Sequence, residues 1–383
     1  MMNSFRILKN LFKKKYTFRI LQKKPILIYD YLSLRELKNF IPKKKFEVLD
    51  NRNEINLLIL IKMILNLKFN KYSYYKQYFE TVCPKLIITT SDHDIFFYKI
   101  KNLYPAAKTA MIQLCYRHDK YSDIFSVLKN QKLKEKYLVD YIFCFSSGFA
   151  KEYLKYIKGN PIVIGSVRNN SYIKVKKKKK TITFISQYRQ TKANHEDYII
   201  QRWQNKTLLH SEFFSLEKKL IPIIVSFCKN LGYKFRIIGC ARNNINAEKK
   251  FYQNLIKDIK WTYLSRIYEN KNFSYKWINE STINIFTEST LGFESIARGI
   301  KTISFYARKH LNNNASFGWP SKKKSKGFFW TNRITKNEVS RLLNNVISVN
   351  NKKWSEILKK ETSSIIYLDE KNKILQNFLN KFI

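Results

Sequence analysis

Short apolar runs alternate with longer amphipathic stretches from Pro25 onward, and that alternation predicts strands and helices in turn. PILIYD (25–30), FEVLD (46–50), LIITT (86–90), TAMIQL (109–114), YIFCFS (141–146) and PIVIG (161–165) read as buried strands. Between them, SLRELKNFI reads as a helix with Ser33 as candidate cap, and Phe96 to Leu103 as another. The stretch 53–67, NEINLLILIKMILNL, is apolar almost throughout but contains Lys62 and is far too short to span a membrane. It predicts a helix buried against the sheet. A second set follows, with strands at 181–188 and 234–239 and helices near 211–230 and 246–258. Helices near 335–348, 351–361 and 369–382 end the chain, after an irregular stretch at 307–333 that suits a loop beside a site.

The two sets are separated by VRNNSYIKVKKKKK (167–180), polar and ending in consecutive lysines. The expected layout is a basic segment 1–24, an α/β domain 25–166, a linker 167–180, a second α/β domain 181–350 and C-terminal helices 351–383. Two such halves would place a cleft at the carboxyl ends of their parallel strands.

The most informative unit is INIFTESTLGFESIARGIKTISFY (283–306). It predicts strands at 283–288 and 301–306 flanking a helix from Leu291 to Arg298, with Ser289 and Thr290 at its start and Gly299 at its end. A helix N-terminus offers unpaired N–H groups and partial positive charge, so a hydroxyl-rich turn there suits a phosphate. Glu294, one turn inside, would reach a ribose diol. The structural alternatives are that Ser289 and Thr290 are caps, and that Glu294 pairs with Arg298 on a solvated face. Two features favour the ligand. With Thr290 as cap, the capping-box acid belongs at Phe293, one position before Glu294. Gly292 also weakens the first turn, which close approach of a ligand would explain.

The segment ESTLGFESIARGIKTISF (288–305) resembles the nucleotide-sugar signature in the C-terminal domain of GT-B glycosyltransferases. PKLIITTSDHDIFFYKIKNLYPAAKTAMIQLCYR (84–117) resembles the bacterial surface-carbohydrate biosynthesis proteins, and the similarity extends through PIVIGSVRNN and TITFISQY. Many of that family carry Asn-Gly after the strand-end Gln; here Leu114 and Cys115 follow Gln113, which puts the acceptor side in question. The resemblance implies an α/β, GT-B-like fold of two Rossmann-type parallel-sheet domains facing across a cleft. It also implies a nucleotide-sugar donor in the C-terminal half, at Ser289, Thr290, Gly292 and Glu294, and a saccharide or lipid-linked acceptor in the N-terminal half.

Asp92, His93 and Asp94 follow a predicted strand directly, where a carboxylate or imidazole would take the proton from an acceptor hydroxyl. The alternative is a turn and helix cap, for which Asp is equally suited. The resemblance favours Asp94. His118, after Arg117, is the rival base. Arg189, between Gln187 and Gln190, would pair with a departing diphosphate, and Ser166 and Arg168 would line the floor near the hinge. The absence of GxGxxG and GxxxxGK[ST] argues against a dinucleotide oxidoreductase and a P-loop NTPase. DHD at 92–94 is the one acidic triplet in a suitable turn, so a metal-independent reaction with no cofactor is expected.

Composition changes the picture in one respect. The chain of 383 residues has a formal net charge of +45 at an ordinary 44% hydrophobic content. Lysines are spread over the whole length among Asn, Ile, Phe and Tyr, as an AT-biased coding sequence gives, without an aromatic-interleaved nucleic-acid motif. An anionic membrane surface is therefore the preferred partner and nucleic acid the weaker one. Residues 1–23 read as an amphipathic membrane-surface helix or as a basic tail. Five widely spaced cysteines show no metal or disulfide pattern, and most read as core residues of a cytoplasmic protein. The reaction expected is glycosyl transfer in cell-surface polysaccharide synthesis. The alternatives are a CDP-alditol glycerol or ribitol phosphotransferase, for which His118 discriminates, and a non-catalytic scaffold binding an anionic polymer or membrane.

Overall fold

Runs such as Leu86–Thr89 are apolar on both faces, which suits strands in the middle of a sheet covered on both sides by helices. The computed structural model describes residues 14–50, 53–67, 70–117, 123–130, 137–172, 179–188, 199–203, 206–240, 244–257, 259–265, 272–306 and 325–383. The chain divides into two units, the first made of 1–115, 122–171 and 369–383, the second of 116–121 and 172–368.

In the first unit the strands β1 (Ile26–Ile28), β2 (Phe46–Val48), β3 (Leu86–Thr89), β4 (Lys108–Ile112), β5 (Leu138–Cys144) and β6 (Lys158–Val163) form one sheet. Their order is β2-β1-β3-β4-β5-β6 and every pair is parallel. Ile26, Ile28, Leu86, Ile88, Ile112 and Phe143 build its core. The last helix, Lys373–Asn380, adds Leu375, Phe378 and Leu379 to that cluster, Phe378 meeting Tyr141 and Phe143 edge-on at 4.8 and 4.9 Å. Asn170 and Asn372 latch it: Asn170 Nδ2 donates to Asn372 Oδ1 (3.0 Å) and Asn372 Nδ2 to the Val167 carbonyl (2.9 Å).

The second unit holds β7 (Lys179–Ile185), β8 (Lys234–Ile238), β9 (Trp261–Leu264), β10 (Ser281–Phe286), β11 (Thr302–Phe305) and β12 (Trp330–Thr331), again all parallel. Its order is β9-β8-β7-β10-β11-β12. Counted within the unit this is the 3-2-1-4-5-6 order of doubly wound dinucleotide-binding sheets. In such sheets ligands sit where the strand order reverses, outside the carboxyl ends of the strands. That point falls between β7 and β10 in this unit and between β1 and β3 in the first.

Several expectations change. Residues 53–67 are not one buried helix. Glu54–Asn56 pairs in parallel with Lys15–Thr17, and only then does a helix run from Leu57 to Leu65. It buries Ile59 and Met63 and leaves Ile61, Ile64 and Leu65 exposed, because the apolar pattern runs all round while protein covers one side. The segment expected as C-terminal helices splits, 351–368 staying with the second unit and 369–383 joining the first. Of the expected linker, Val167–Asn170 is a helical turn and Lys179 already opens β7; 173–178 lie outside the described residues. Trp330, in the stretch expected to be irregular, is buried in β12, while 307–324 lie outside the described residues. Helices at Lys71–Val82 and Asn272–Glu280, an antiparallel hairpin at 199–209 and strand β9 had no counterpart in the pattern. Among the described residues no helix is long and apolar enough to cross a membrane.

Candidate functional site

At the switch point of the second unit β10 ends at Phe286, and the turn Thr287–Glu288–Ser289 leads into the helix Thr290–Ala297. Ser289 holds the N-cap position with extended backbone, yet its side chain makes no capping bond. Thr287 is fully buried, and its Oγ1 has no hydrogen-bond partner among the described residues. Buried hydroxyls are ordinarily paired, so this atom stands out, as do Thr181 Oγ1, Asn284 Oδ1 and Ser304 Oγ of the same sheet. Thr290 Oγ1 accepts from the Tyr116 backbone N–H at 3.1 Å, and the Tyr116 ring stacks on Phe293 with centroids 3.5 Å apart and planes 6° from parallel. Ser289 thus occupies the cap position expected of it without a side-chain capping bond, and the Thr290 hydroxyl is engaged with a neighbouring backbone.

Gly292 has a packing reason: a Cβ there would lie 2.0 Å from the Phe286 ring. The helix rests directly on that ring, which replaces close approach of a ligand as the cause. Glu294 and Arg298 do not sit on a solvated face; each is only 4% exposed. Glu294 Oε2 accepts from Tyr275 OH at 3.0 Å. The Arg298 guanidinium lies 5.1 and 5.4 Å from the Tyr172 and Tyr275 ring centroids and donates to the Tyr172 carbonyl at 2.9 Å. Burial pushes the Tyr172 phenol up, against the opposing pull of Arg298. Across the switch point, Ser186 after β7 donates to the fully buried Glu248, which also accepts from the Cys240 N–H (2.9 Å) and Tyr263 OH (2.7 Å).

The switch point of the first unit is equally polar. Asp30, buried after β1, accepts from Ser33 N–H at 2.6 Å through Oδ1 and from Thr89 Oγ1 at 3.0 Å through Oδ2. Ser33 Oγ in turn accepts from Thr90 N–H at 2.7 Å, and Thr89 Oγ1 from Ser91 N–H at 3.0 Å. Asp30 has φ 137°, a strained value for a non-glycine residue, and this network holds it there. Asp92 is fully buried; its Oδ2 accepts from Tyr153 OH at 2.8 Å and its carbonyl from Tyr98 OH. That post ties the turn to the neighbouring helix and withdraws Asp92 from solvent. Asp94 is half-buried, accepts from Phe96 N–H at 3.0 Å through Oδ1 and from Tyr29 OH at 3.2 Å through Oδ2. Of the two carboxylates only Asp94 retains access.

His118 and Arg189 lie outside the described residues, as does Gln190. Ser166 accepts from Asn169 N–H (3.4 Å), and Arg168 forms a two-pronged pair with Glu36 at 2.9 and 2.8 Å, so both serve the scaffold. Cys144 and Cys228 are buried. Burial pushes the Cys228 thiol up to about 12, and burial with nearby Asp92 pushes Cys144 up as well, so neither is a poised nucleophile. Thr287, Asp30 and the Tyr172–Tyr275 pair were not singled out from sequence. Thr287 is the first hydroxyl of TEST after an apolar run, and Asp30 the residue that ends PILIYD, and both positions were visible signals.

Two parallel doubly wound sheets in two units define a GT-B-like fold, and solved structures agree. The UDP-GlcNAc 2-epimerase from Neisseria meningitidis, bound to UDP-GlcNAc, superposes with a TM-score of 0.53 at 12% identity, covering 94% of this chain and 100% of that one. The wall teichoic acid polymerase TagF gives 0.53 at 10% identity over 99% and 93%. S. aureus MnaA with UDP gives 0.52 at 10% over 94% and 97%. A search of curated proteins gives no match. The family model described as “putative O-antigen biosynthesis protein” matches residues 110–383, and the chain belongs to that family.

Proposed function

We propose that the protein is a glycosyltransferase of surface-polysaccharide synthesis that takes a sugar from a nucleotide-sugar donor. The observation that carries this is the turn at the switch point of the second sheet. A buried Thr287 hydroxyl without a partner among the described residues and a Ser289 hydroxyl free of capping duty lie at the start of a helix. Backbone N–H groups, a favourable dipole and two hydroxyls together suit a diphosphate, whose departing charge they would stabilise. Ser289 would contact phosphate oxygens, and the fully buried Thr287 would do so once the turn opens to admit the donor, with Arg189 as an added cation. Glu294 and Gly292 would act on the donor indirectly, one by fixing Tyr275 and the other by letting the helix settle on Phe286. Membership of an O-antigen biosynthesis family and a fold shared with proteins bound to UDP-GlcNAc and UDP support a nucleotide-sugar.

Asp94 would accept the proton of the attacking hydroxyl, with Tyr29 orienting it, and His118 is the second candidate for that role. The acceptor would be a saccharide, lipid-linked at an anionic membrane surface on the cytoplasmic side, which the charge of +45 favours. No metal is required by this scheme, since the helix terminus and Arg189 meet the leaving charge.

The test is transfer of label from UDP-, GDP-, CDP- and dTDP-linked sugars to a membrane extract, scored by product and by release of the nucleoside diphosphate. Asp94→Asn should slow transfer by about 10²–10⁴-fold while leaving donor binding intact. Full transfer by that variant would remove Asp94 from the mechanism. Release of CMP from CDP-glycerol or CDP-ribitol, with no sugar transferred, would replace glycosyl transfer by phosphotransfer.

A further inference from the structure

An exposed apolar face on the first unit is used by neither switch point. On the helix Leu57–Leu65, Ile61, Ile64 and Leu65 recur at helical spacing on the side opposite the buried Ile59 and Met63. Leu65 is 78% and Leu67 80% exposed. Leu67 also has φ 51°, the left-handed position after a helix that usually falls to Gly or Asn. A leucine held in that conformation and presented to solvent adds to the apolar face at the expense of local strain. Asn56 Nδ2 donates to the Arg19 carbonyl at 2.6 Å, so Phe18 and Ile20, both well exposed, run beside the start of the helix.

Among the described residues around this face, the exposed charges that stand without an ion pair are mainly lysines. Lys15, Lys62 and Lys71 are exposed, and Lys14 stands near enough to Lys71 for that charge, after burial, to lower its own pKa. Of the acids of the region, Glu47 and Glu54 are paired with Arg19 and Glu80 with Lys76, while Asp50 accepts from the neutral Asn53 amide. A second copy of the chain would bring its own lysines against these, and each copy carries +45, so self-association is opposed. Apolar side chains ringed by lysine suit a bilayer interface that carries anionic headgroups. We propose that this face docks the protein on an anionic lipid bilayer, Ile61, Ile64, Leu65 and Leu67 entering the interface and the lysines meeting lipid phosphates.

This names the surface for the membrane attachment in the functional reading above, but its test is separate from the donor. The full chain is sedimented with vesicles of phosphatidylcholine alone and of phosphatidylcholine mixed with phosphatidylglycerol. The expected result is preference for the mixed vesicles, reduced about tenfold or more in an Ile61→Ser, Ile64→Ser, Leu65→Ser variant that keeps every charge. Lys62→Glu with Lys71→Glu should weaken binding at low salt, and Leu65→Trp should shift its emission to the blue on mixed vesicles. All substitutions are on the surface, and an unchanged melting curve checks the fold. Undiminished binding by the serine variant, no preference for anionic vesicles, or no blue shift would overturn the proposal. So would a dimer on gel filtration that the serine variant dissolves, since the face would then belong to a second copy. Donor-induced thermal shifts without lipid should match in wild type and serine variant. Their loss from both with vesicle binding intact would sink the transferase reading and leave the docking face standing.

Discussion

The two sheets present polar residues at the same topological position, and they use them differently. After β1 and β3, Asp30, Ser33, Thr89, Thr90 and Ser91 are joined to one another in a closed network. After β10, the Thr287 hydroxyl is just as deeply buried and is left over. The buried polar cluster of the first unit is internally satisfied and holds a strained backbone in place. That of the second has capacity to spare, which the proposed donor would use. Polarity alone does not set the two switch points apart; the unmet Thr287 hydroxyl does, and the proposed donor site rests on it.

The comparison can be broken from either side. On the first, Asp30→Ala removes the helix cap and leaves Thr89 without its acceptor, so it should lower stability by roughly 2–3 kcal/mol in urea denaturation. A neutral Asp30→Ala would mean that the network is ornamental and that the first switch point is also open. On the second, Gly292→Ala drives a methyl into the Phe286 ring, 2.0 Å from its nearest atom. Overpacking of that kind should lower stability by about 1–3 kcal/mol, seen as a lower melting temperature, and loosen the turn the helix carries. An unaffected melting temperature would restore ligand approach as the reason for the glycine.

The smallest effect concerns the other end of the same sheet. Glu280, before β10, pairs with Lys179 at 2.9 Å and Arg236 at 3.5 Å. Burial alone would raise its pKa, but Lys179 and then Arg236 hold it below the ordinary carboxylate value. A carboxylate lowered on folding contributes stability above its unfolded pKa and loses it as pH falls through the folded one. Glu280→Gln should thus flatten the acid side of the stability profile below the usual Glu range and leave donor binding untouched. An identical acid limb in wild type and variant would show that the pair adds nothing.

The chain order of strands was legible because apolar runs bounded by turn residues survive any detail of packing. LIITT and TITFIS fall within a few residues of β3 and β7. The hydroxyl-rich turn was legible for the same reason, as three polar residues between INIF and a helix. What escaped depends on contacts distant in sequence. Nothing local in LLILIKMIL says that protein covers only one side of it. Glu294 and Arg298 show helical spacing that fits a surface pair, and only Tyr172 and Tyr275, brought in from elsewhere, bury them. Gly292 in the sequence suits close approach of a ligand, and only the fold brings the Phe286 ring beneath it. Asp30 reads as the end of a strand, and nothing in an Asp signals a backbone at φ 137°, ψ 156°, a region essentially reserved for glycine.

The measurement that tests the central claim most directly is a thermal shift of wild type and Thr287→Val against nucleotide-linked donors. Valine keeps the volume and removes the unmet hydroxyl, so the unliganded variant should be as stable as wild type or more so, by up to roughly 1 kcal/mol. One nucleotide class should stabilise wild type, by about 2.7 kcal/mol at a hundredfold excess over Kd, and the variant clearly less. Opposite signs on the free and bound protein are the signature of a hydroxyl kept for a ligand. An undiminished shift in Thr287→Val, or no shift of folded wild type with any donor, would contradict the account.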